Sequence, residues 1–201
     1  SREDLQAITL GGRSGPLDGE DLNSLVVSHI DWLLKRRVRE FESDASDNPA
    51  LNHILAVQED FNESLTSLKE GMAGSEKPDL DFPKTPIGRG LESVARLLSI
   101  GVRPAVFKLN LGGFDTHTNQ RAKHKMLLGQ LAEALATFRE VAIAAGTRTD
   151  TTVVTYSEFG RRVAEKGNKG TDHGAAASHF VLGGSVIGGI YGEMPSLVDL
   201  D

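Results

Sequence analysis

Residues 112–120 read Gly-Gly-Phe-Asp-Thr-His-Thr-Asn-Gln and separate an apolar run at residues 104–111 from a long helical pattern. This order predicts a strand, a glycine pair and then a helix, which is where α/β proteins place ligands and chemistry. The glycines let the backbone approach a ligand closely or adopt a positive φ. Asp115 and His117 follow them directly, and both side-chain types bind metals and exchange protons. The stretch therefore predicts a functional loop at the end of a strand.

The residues on either side of this loop predict a strand–helix–strand unit. The run at 104–111 is almost continuously apolar, which is typical of a parallel strand buried on both faces. A helical pattern over 119–145 leads to a second strand-like run at 152–156. A crossover of this length predicts two parallel strands whose C-terminal ends share one edge of the sheet. We therefore expect Asp115, His117 and Glu158, which follow the two strands, to lie at the same edge.

The upstream part of the chain predicts mostly helix. Apolar residues recur at helical spacing over residues 22–41. Asn48 followed by Pro49, and Thr85 followed by Pro86, each have the form of a cap followed by proline at the first helical position. Two further helices are expected to start at these points.

These elements give a domain plan. The fold class is α/β, with a mostly parallel central sheet and helices on both faces. We expect one domain over residues 1–201, with residues 1–20 as a loop containing a short apolar run. Residues 21–85 are expected to form a helical insertion or cover, and residues 86–201 the core that carries the site loops.

Composition limits the functional classes. The 201-residue chain carries a net charge of −6, whereas nucleic-acid surfaces are usually basic. It has no cysteine, which removes disulfides, thiolate metal sites and cysteine nucleophiles. No run reaches the roughly 18 apolar residues of a membrane helix. The chain lacks an initiator Met and a signal peptide, so we expect a fragment of a longer protein.

The loops offer several metal ligands, and each has a structural alternative. Asp115 and His117 can both reach one ion, at about 2.0–2.2 Å for zinc, although Asp115 can also cap the following helix. Glu158 can act as a ligand or general base, and Arg161 can bind an oxyanion through its planar fork. The alternative is a Glu158–Arg161 ion pair that holds the turn.

The sharpest local signal is Asp172-His173 between two glycines, because a turn cap would need only the aspartate. Both are expected metal ligands. His179 precedes an apolar run, and we assign it with Arg161 to the catalytic residues, leaving open a role as a ligand or a supporting donor.

Gln120 and His124 lie four apart on the predicted helix and share one face. Either can orient a metal ligand through a hydrogen bond, with a surface position as the alternative.

Four motifs together resemble one bacterial family. They are Gly-Gly-Phe-Asp-Thr-His at 112–117, Val-Thr-Tyr-Ser-Glu-Phe-Gly-Arg at 154–161, Gly-Thr-Asp-His-Gly at 170–174 and Val-Leu-Gly-Gly at 181–184. They resemble domain-of-unknown-function family 1501 (DUF1501), a sulfatase-like branch of the alkaline phosphatase superfamily. The resemblance is specific over the second half of the chain and loose before it.

The resemblance implies helices around a central sheet, with metals at the C-terminal edge of the strands. It also implies hydrolysis of phosphate or sulfate esters of a small molecule or glycan, and export of the full protein to the periplasm or beyond. The expected cofactor is a divalent ion, zinc first, with calcium or manganese as alternatives. Its predicted ligands are Asp115, His117, Glu158, Asp172 and His173.

A second reading is a non-catalytic exported protein that binds a glycan or a protein partner in the same cleft. Two features favour it. No nucleophile stands out, and the superfamily's aspartate–histidine metal pair falls where this chain has Glu158-Phe159. The sequence leaves the substrate, the metal and the oligomeric state open.

Overall fold

The computed structural model describes residues 5–19, 22–28, 30, 35, 47–73, 81–194 and 196. The chain divides into two compact units. The first contains residues 1–79 and 89–110, and the second contains residues 80–88 and 111–201.

The first unit contains a three-stranded parallel sheet of order β2-β1-β3. Its strands are β1 (Ala7–Leu10), β2 (Ser24–Val27) and β3 (Val106–Leu109). The central strand β1 is buried along its whole length, so both of its faces are covered. The predicted α/β class and a parallel sheet are confirmed here.

Two upstream predictions were wrong. The apolar run inside the expected N-terminal loop is the central strand β1, and the helical pattern over residues 22–41 contains strand β2. A strand covered on both faces shows no polar alternation, and a four-residue apolar run is too short to distinguish helix from strand. Later in that pattern, residues 30 and 35 are helical as predicted, and residues 29, 31–34 and 36–41 lie outside the described residues.

The run at 104–111 was predicted to be a strand buried on both faces. In the structure it is β1 that is buried in this way. Strand β3 lies at one edge of the described sheet, and Val106 is 41% exposed. The helix α2 (Pro86–Ser99) packs closely on β3, because a Cβ on Gly90 would lie 2.5 Å from Leu109 Cδ2. A larger residue at this position would require the Leu109 side chain to shift.

The predicted helix starts are confirmed. Helix α1 (Pro49–Ala73) begins after Asn48, whose Oδ1 accepts a hydrogen bond from the Ala50 N–H at 3.0 Å. Thr85 Oγ1 accepts one from the first turn of α2 at 3.2 Å. Each cap satisfies an N–H group that the helix itself leaves unpaired. None of the helices in the described ranges combines the length and apolar character needed to cross a bilayer.

The second unit is built around helix α3 (Gln120–Ala144), which confirms the pattern predicted over 119–145. Its buried side chains lie on one stripe: Leu127, Ala134, Phe138 and Ala142. The helix ends as predicted at Gly146, which has a φ of 68°.

The short strands of this unit are antiparallel. Strand β4 (Thr152–Val154) pairs with β7 (Val181–Gly183), and β5 (Gly160–Arg161) pairs with β6 (His173–Gly174). The predicted parallel pairing of β4 with β3 was therefore wrong, and the sheet system is not mostly parallel. The chain leaves the β4–β7 ribbon at Val154 and returns at Val181, so the intervening segment is a closed loop that carries the later site residues.

Candidate metal centre

Three of the five predicted ligands meet at one point. Asp115 Oδ1 lies 2.9 Å from His117 Nε2 and 2.8 Å from His173 Nε2. These three atoms all lie within 4.8 Å of one another. About half of each side chain is exposed, so an ion can reach the donors from solvent.

A very close backbone contact brings the loops together. A Cβ placed on Gly170 would lie only 2.1 Å from the carbonyl carbon and oxygen of His117. The Gln120 N–H also donates to the Lys169 carbonyl at 2.8 Å. The absence of a side chain at Gly170 therefore lets its loop pack directly on the loop that carries His117.

The β5–β6 pair brings in the second histidine. Arg161 on β5 lies opposite His173 on β6 in the antiparallel register. The parallel sheet was expected to bring Asp115 and His117 beside Glu158. The structure instead brings His173 to them, through a two-residue antiparallel pair. Two-residue strands carry no periodicity that a sequence could reveal.

Arg161 connects three segments of the site. Its Nε donates to Thr171 Oγ1 at 3.1 Å, its Nη2 donates to the Thr116 carbonyl, and its Nη1 lies 3.4 Å from Asp115 Oδ1. Its side chain is only 13% exposed. Its ionic partner is thus Asp115 rather than Glu158. Glu158 is exposed and lies outside the three-residue group, and its role as a ligand stays a prediction.

Two buried threonines link the loops to α3. Thr116 Oγ1 is 3.0 Å from His124 Nε2, and Thr171 Oγ1 donates to Gln120 Oε1 at 2.6 Å. Gln120 and His124 therefore face the site loops, and they support the threonines rather than a ligand directly. Sequence reasoning missed both threonines, because a hydroxyl side chain in a polar loop carries no signal of burial.

Asp172 lies beside the ring nitrogen of His117 that faces away from Asp115. His117 Nδ1 lies 3.4 Å from Asp172 Oδ1, while Nε2 faces Asp115. Lys166 Nζ donates to the same Asp172 oxygen. A carboxylate beside one ring nitrogen restricts the orientation of an imidazole, so this geometry gives Asp172 an orienting role. Asp172 does not belong to the three-residue group, and its role as a metal ligand stays a prediction.

Aromatic stacking fixes the second imidazole. The Phe159 ring lies parallel to the His173 ring, with centroids 4.0 Å apart and planes within 6°. His117 and His173 also stack, at 5.2 Å. Phe159 therefore has a role in the site, which sequence reasoning missed. His179, by contrast, is an exposed residue outside the cluster, and its catalytic role stays a prediction.

Hydrogen bonds lower the pKa of both aspartates. The bond from His173 is the largest cause that holds the pKa of Asp115 below its ordinary value, and partial burial opposes it. The bond from Lys166 is the largest cause of the lowered pKa of Asp172. Both carboxylates are thus available as anions at neutral pH.

Replacing Lys166 by methionine is expected to raise the pKa of Asp172 towards its ordinary value, because the main hydrogen bond that lowers it is lost. In the wild type, the lowered folded-state pKa contributes stability that is fully present above about pH 4. That contribution is lost as the pH falls through the folded-state pKa. Carboxyl NMR titration measures the pKa directly. Lys169→Met is the control, and an equal shift in both variants would contradict the assignment.

Comparison with known proteins identifies a family but no activity. The model of a family described as a protein of unknown function, DUF1501, matches residues 27–199. No curated protein and no solved structure matches the chain. The family indicated by the motifs is confirmed, whereas its placement in the alkaline phosphatase superfamily stays a prediction.

Proposed function

The chain belongs to the DUF1501 family, and we propose that it is a metal-dependent hydrolase of phosphate or sulfate esters. The observation that carries the proposal is the convergence of one carboxylate and two imidazoles, from Asp115, His117 and His173. They would hold one divalent ion.

The donor set suits some metals better than others. Two nitrogens and one carboxylate oxygen with an open side are typical of catalytic zinc, and the same set also suits iron(II). Calcium takes 6–8 oxygen ligands, so two imidazoles argue against it. The donors therefore favour zinc over calcium.

The spacing of the donors is shorter than that of ligand atoms around an ion. The N···O separations of 2.8 and 2.9 Å are hydrogen-bond distances. Ligand atoms around a tetrahedral ion with bonds of about 2.0–2.1 Å lie about 3.3 Å apart. Binding therefore needs each of the two N···O pairs to open by about half an ångström, and it displaces any proton on the coordinating nitrogens. The partial exposure of the three side chains allows this movement.

The surrounding residues have separate roles in this proposal. Asp172 orients His117, and Phe159 fixes the His173 ring through stacking. Arg161 holds the two loops together, and its Nη1, which has only the long 3.4 Å contact with Asp115, is the guanidinium nitrogen left to bind a substrate anion. The ion would supply Lewis-acid stabilisation of the leaving oxygen.

Metal removal tests the proposal. The purified protein is expected to contain about one equivalent of zinc by elemental analysis and to hydrolyse p-nitrophenyl phosphate or sulfate. A chelator should abolish hydrolysis, and zinc should restore it where calcium does not. A hydrolysis rate that is unchanged by the chelator, or no zinc uptake after soaking, would reject the proposal.

One observation supports the alternative of a non-catalytic binding protein. Thr116 and Thr171, the two threonines that frame the cluster, are buried and hydrogen-bonded, so neither is available as a nucleophile. Zinc binding without hydrolysis of either ester would favour a glycan- or partner-binding role for the same cleft. Export of the protein belongs to both versions of the proposal.

A further inference from the structure

A cleft of about 530 Å³ opens beside the cluster in the second unit. One wall is the loop after the glycine pair and includes Asp115 and His117. The other wall is the start of α3, which contributes Ala122, Lys123 and Met126. Since two of the proposed ligands line this cleft, a molecule that fills it can contact both the ion and the helix.

Lys123 places a positive charge in the cleft. It is the one lysine or arginine among the lining residues. Its aliphatic stem lies across Gly113, because a Cβ at that glycine would be 3.5 Å from Lys123 Cε. No carboxylate among the described residues forms an ion pair with it. Its ammonium group is therefore available to an anionic ligand.

Met126 and Ala122 give the same wall an apolar part. They are four residues apart on α3, so they lie on one face of the helix. Met126 is 49% exposed, which leaves a large part of its side chain free to contact a ligand. Methionine is flexible and polarisable, so it adapts to organic groups of different shape.

The charges around the site favour a doubly charged substrate group. The two positive charges of a divalent ion would outnumber the single negative charge of Asp115. Arg161 and Lys123 add two further positive charges. Asp172 and Lys166 form an ion pair and offset each other. A phosphate monoester carries two negative charges at mildly alkaline pH, whereas a sulfate monoester carries one.

We propose that the substrate class is phosphate monoesters of small, partly apolar alcohols. Lys123 would contact the anionic phosphate, while Met126 and Ala122 would pack against the organic group. This inference rests on the proposed metal-dependent function, and it makes Lys123 and Met126 the residues that determine specificity.

Binding of non-hydrolysable probes to the zinc-loaded protein tests this without requiring turnover. By calorimetry, Lys123→Gln is expected to weaken binding of phenylphosphonate and methylphosphonate about tenfold, because a charge-assisted contact is lost. Met126→Ser is expected to weaken only phenylphosphonate, by several-fold, because apolar contact area is lost. Lys125→Gln is the matched control, since that neighbouring lysine on α3 does not line the cleft.

The outcomes separate the two proposals. Failure of the wild-type protein to take up zinc would overturn the metal-dependent function itself. If zinc binds but the phosphonates do not, or if they bind equally to wild type and Lys123→Gln, the inference fails and the metal site stands. Tighter binding of benzenesulfonate than of phenylphosphonate would overturn the preference for a doubly charged group.

Discussion

Replacing Asp115 by alanine is expected to reduce the bound zinc from about one equivalent to none. One oxygen of Asp115 faces both histidines, so its loss removes the contact that joins the two loops at the cluster. It also leaves the nearby guanidinium of Arg161 without its ionic partner. The positive charge of Arg161 is then uncompensated and repels an incoming cation. We expect zinc affinity to fall by more than about a hundredfold, beyond the effect of losing an outer partner. Elemental analysis after dialysis, together with zinc titration, measures it.

Two further variants make this result specific. Asp172→Asn is expected to keep one zinc site but to weaken it about tenfold to a hundredfold, because Asp172 orients His117 without joining the cluster. Asp150→Ala, at an exposed aspartate in the turn after α3, is expected to bind zinc normally. A full zinc equivalent in Asp115→Ala would reject the ligand set, and complete loss in Asp172→Asn would make Asp172 a ligand.

The sequence predicted the chemistry of the cluster better than the way the chain assembles it. Asp115, His117 and His173 stand out locally, because an imidazole beside an aspartate in a glycine-rich loop has no apolar surface to cover. The edge of a parallel sheet was expected to bring Asp115 and His117 beside Glu158, but the residue that joins them is His173, through the β5–β6 pair and the contact at Gly170. Such contacts join distant parts of the chain and leave no local periodicity.

In the fold, too, the elements with a local sequence signal were predicted, and two that depend on pairing between strands were missed. The starts of α1 and α2 were predicted because a cap and a proline act within one turn and can be read locally. Strands β1 and β2 were missed because each is four residues long, and their identity depends on pairing with each other. Burial of β1 on both faces further removes the alternation that marks most strands.

Replacing Gly170 by alanine is expected to disrupt both stability and metal binding. The new Cβ would lie 2.1 Å from the carbonyl atoms of His117 and 2.5 Å from the Thr118 nitrogen. Backbone atoms cannot move away as a flexible side chain can, so one loop must shift relative to the other. We expect a loss of about 2 kcal/mol in the free energy of unfolding, typical of overpacking. Zinc affinity should fall with it, because the displaced residue is a proposed ligand.

Gly167→Ala supplies the matched comparison, because it makes the same chemical change three residues earlier in the same loop. A Cβ at Gly167 would meet no atom within 4 Å, so its effect on stability should stay within about 0.5 kcal/mol. Urea unfolding in the absence of metal isolates the structural effect, and zinc titration of the folded variants shows whether His117 has moved. Equal stability of the two variants would show that the loops can separate freely. The close contact at Gly170 would then not be what positions His117, and the β5–β6 pairing and the hydrogen bonds of Arg161 and Thr171 would have to hold the cluster.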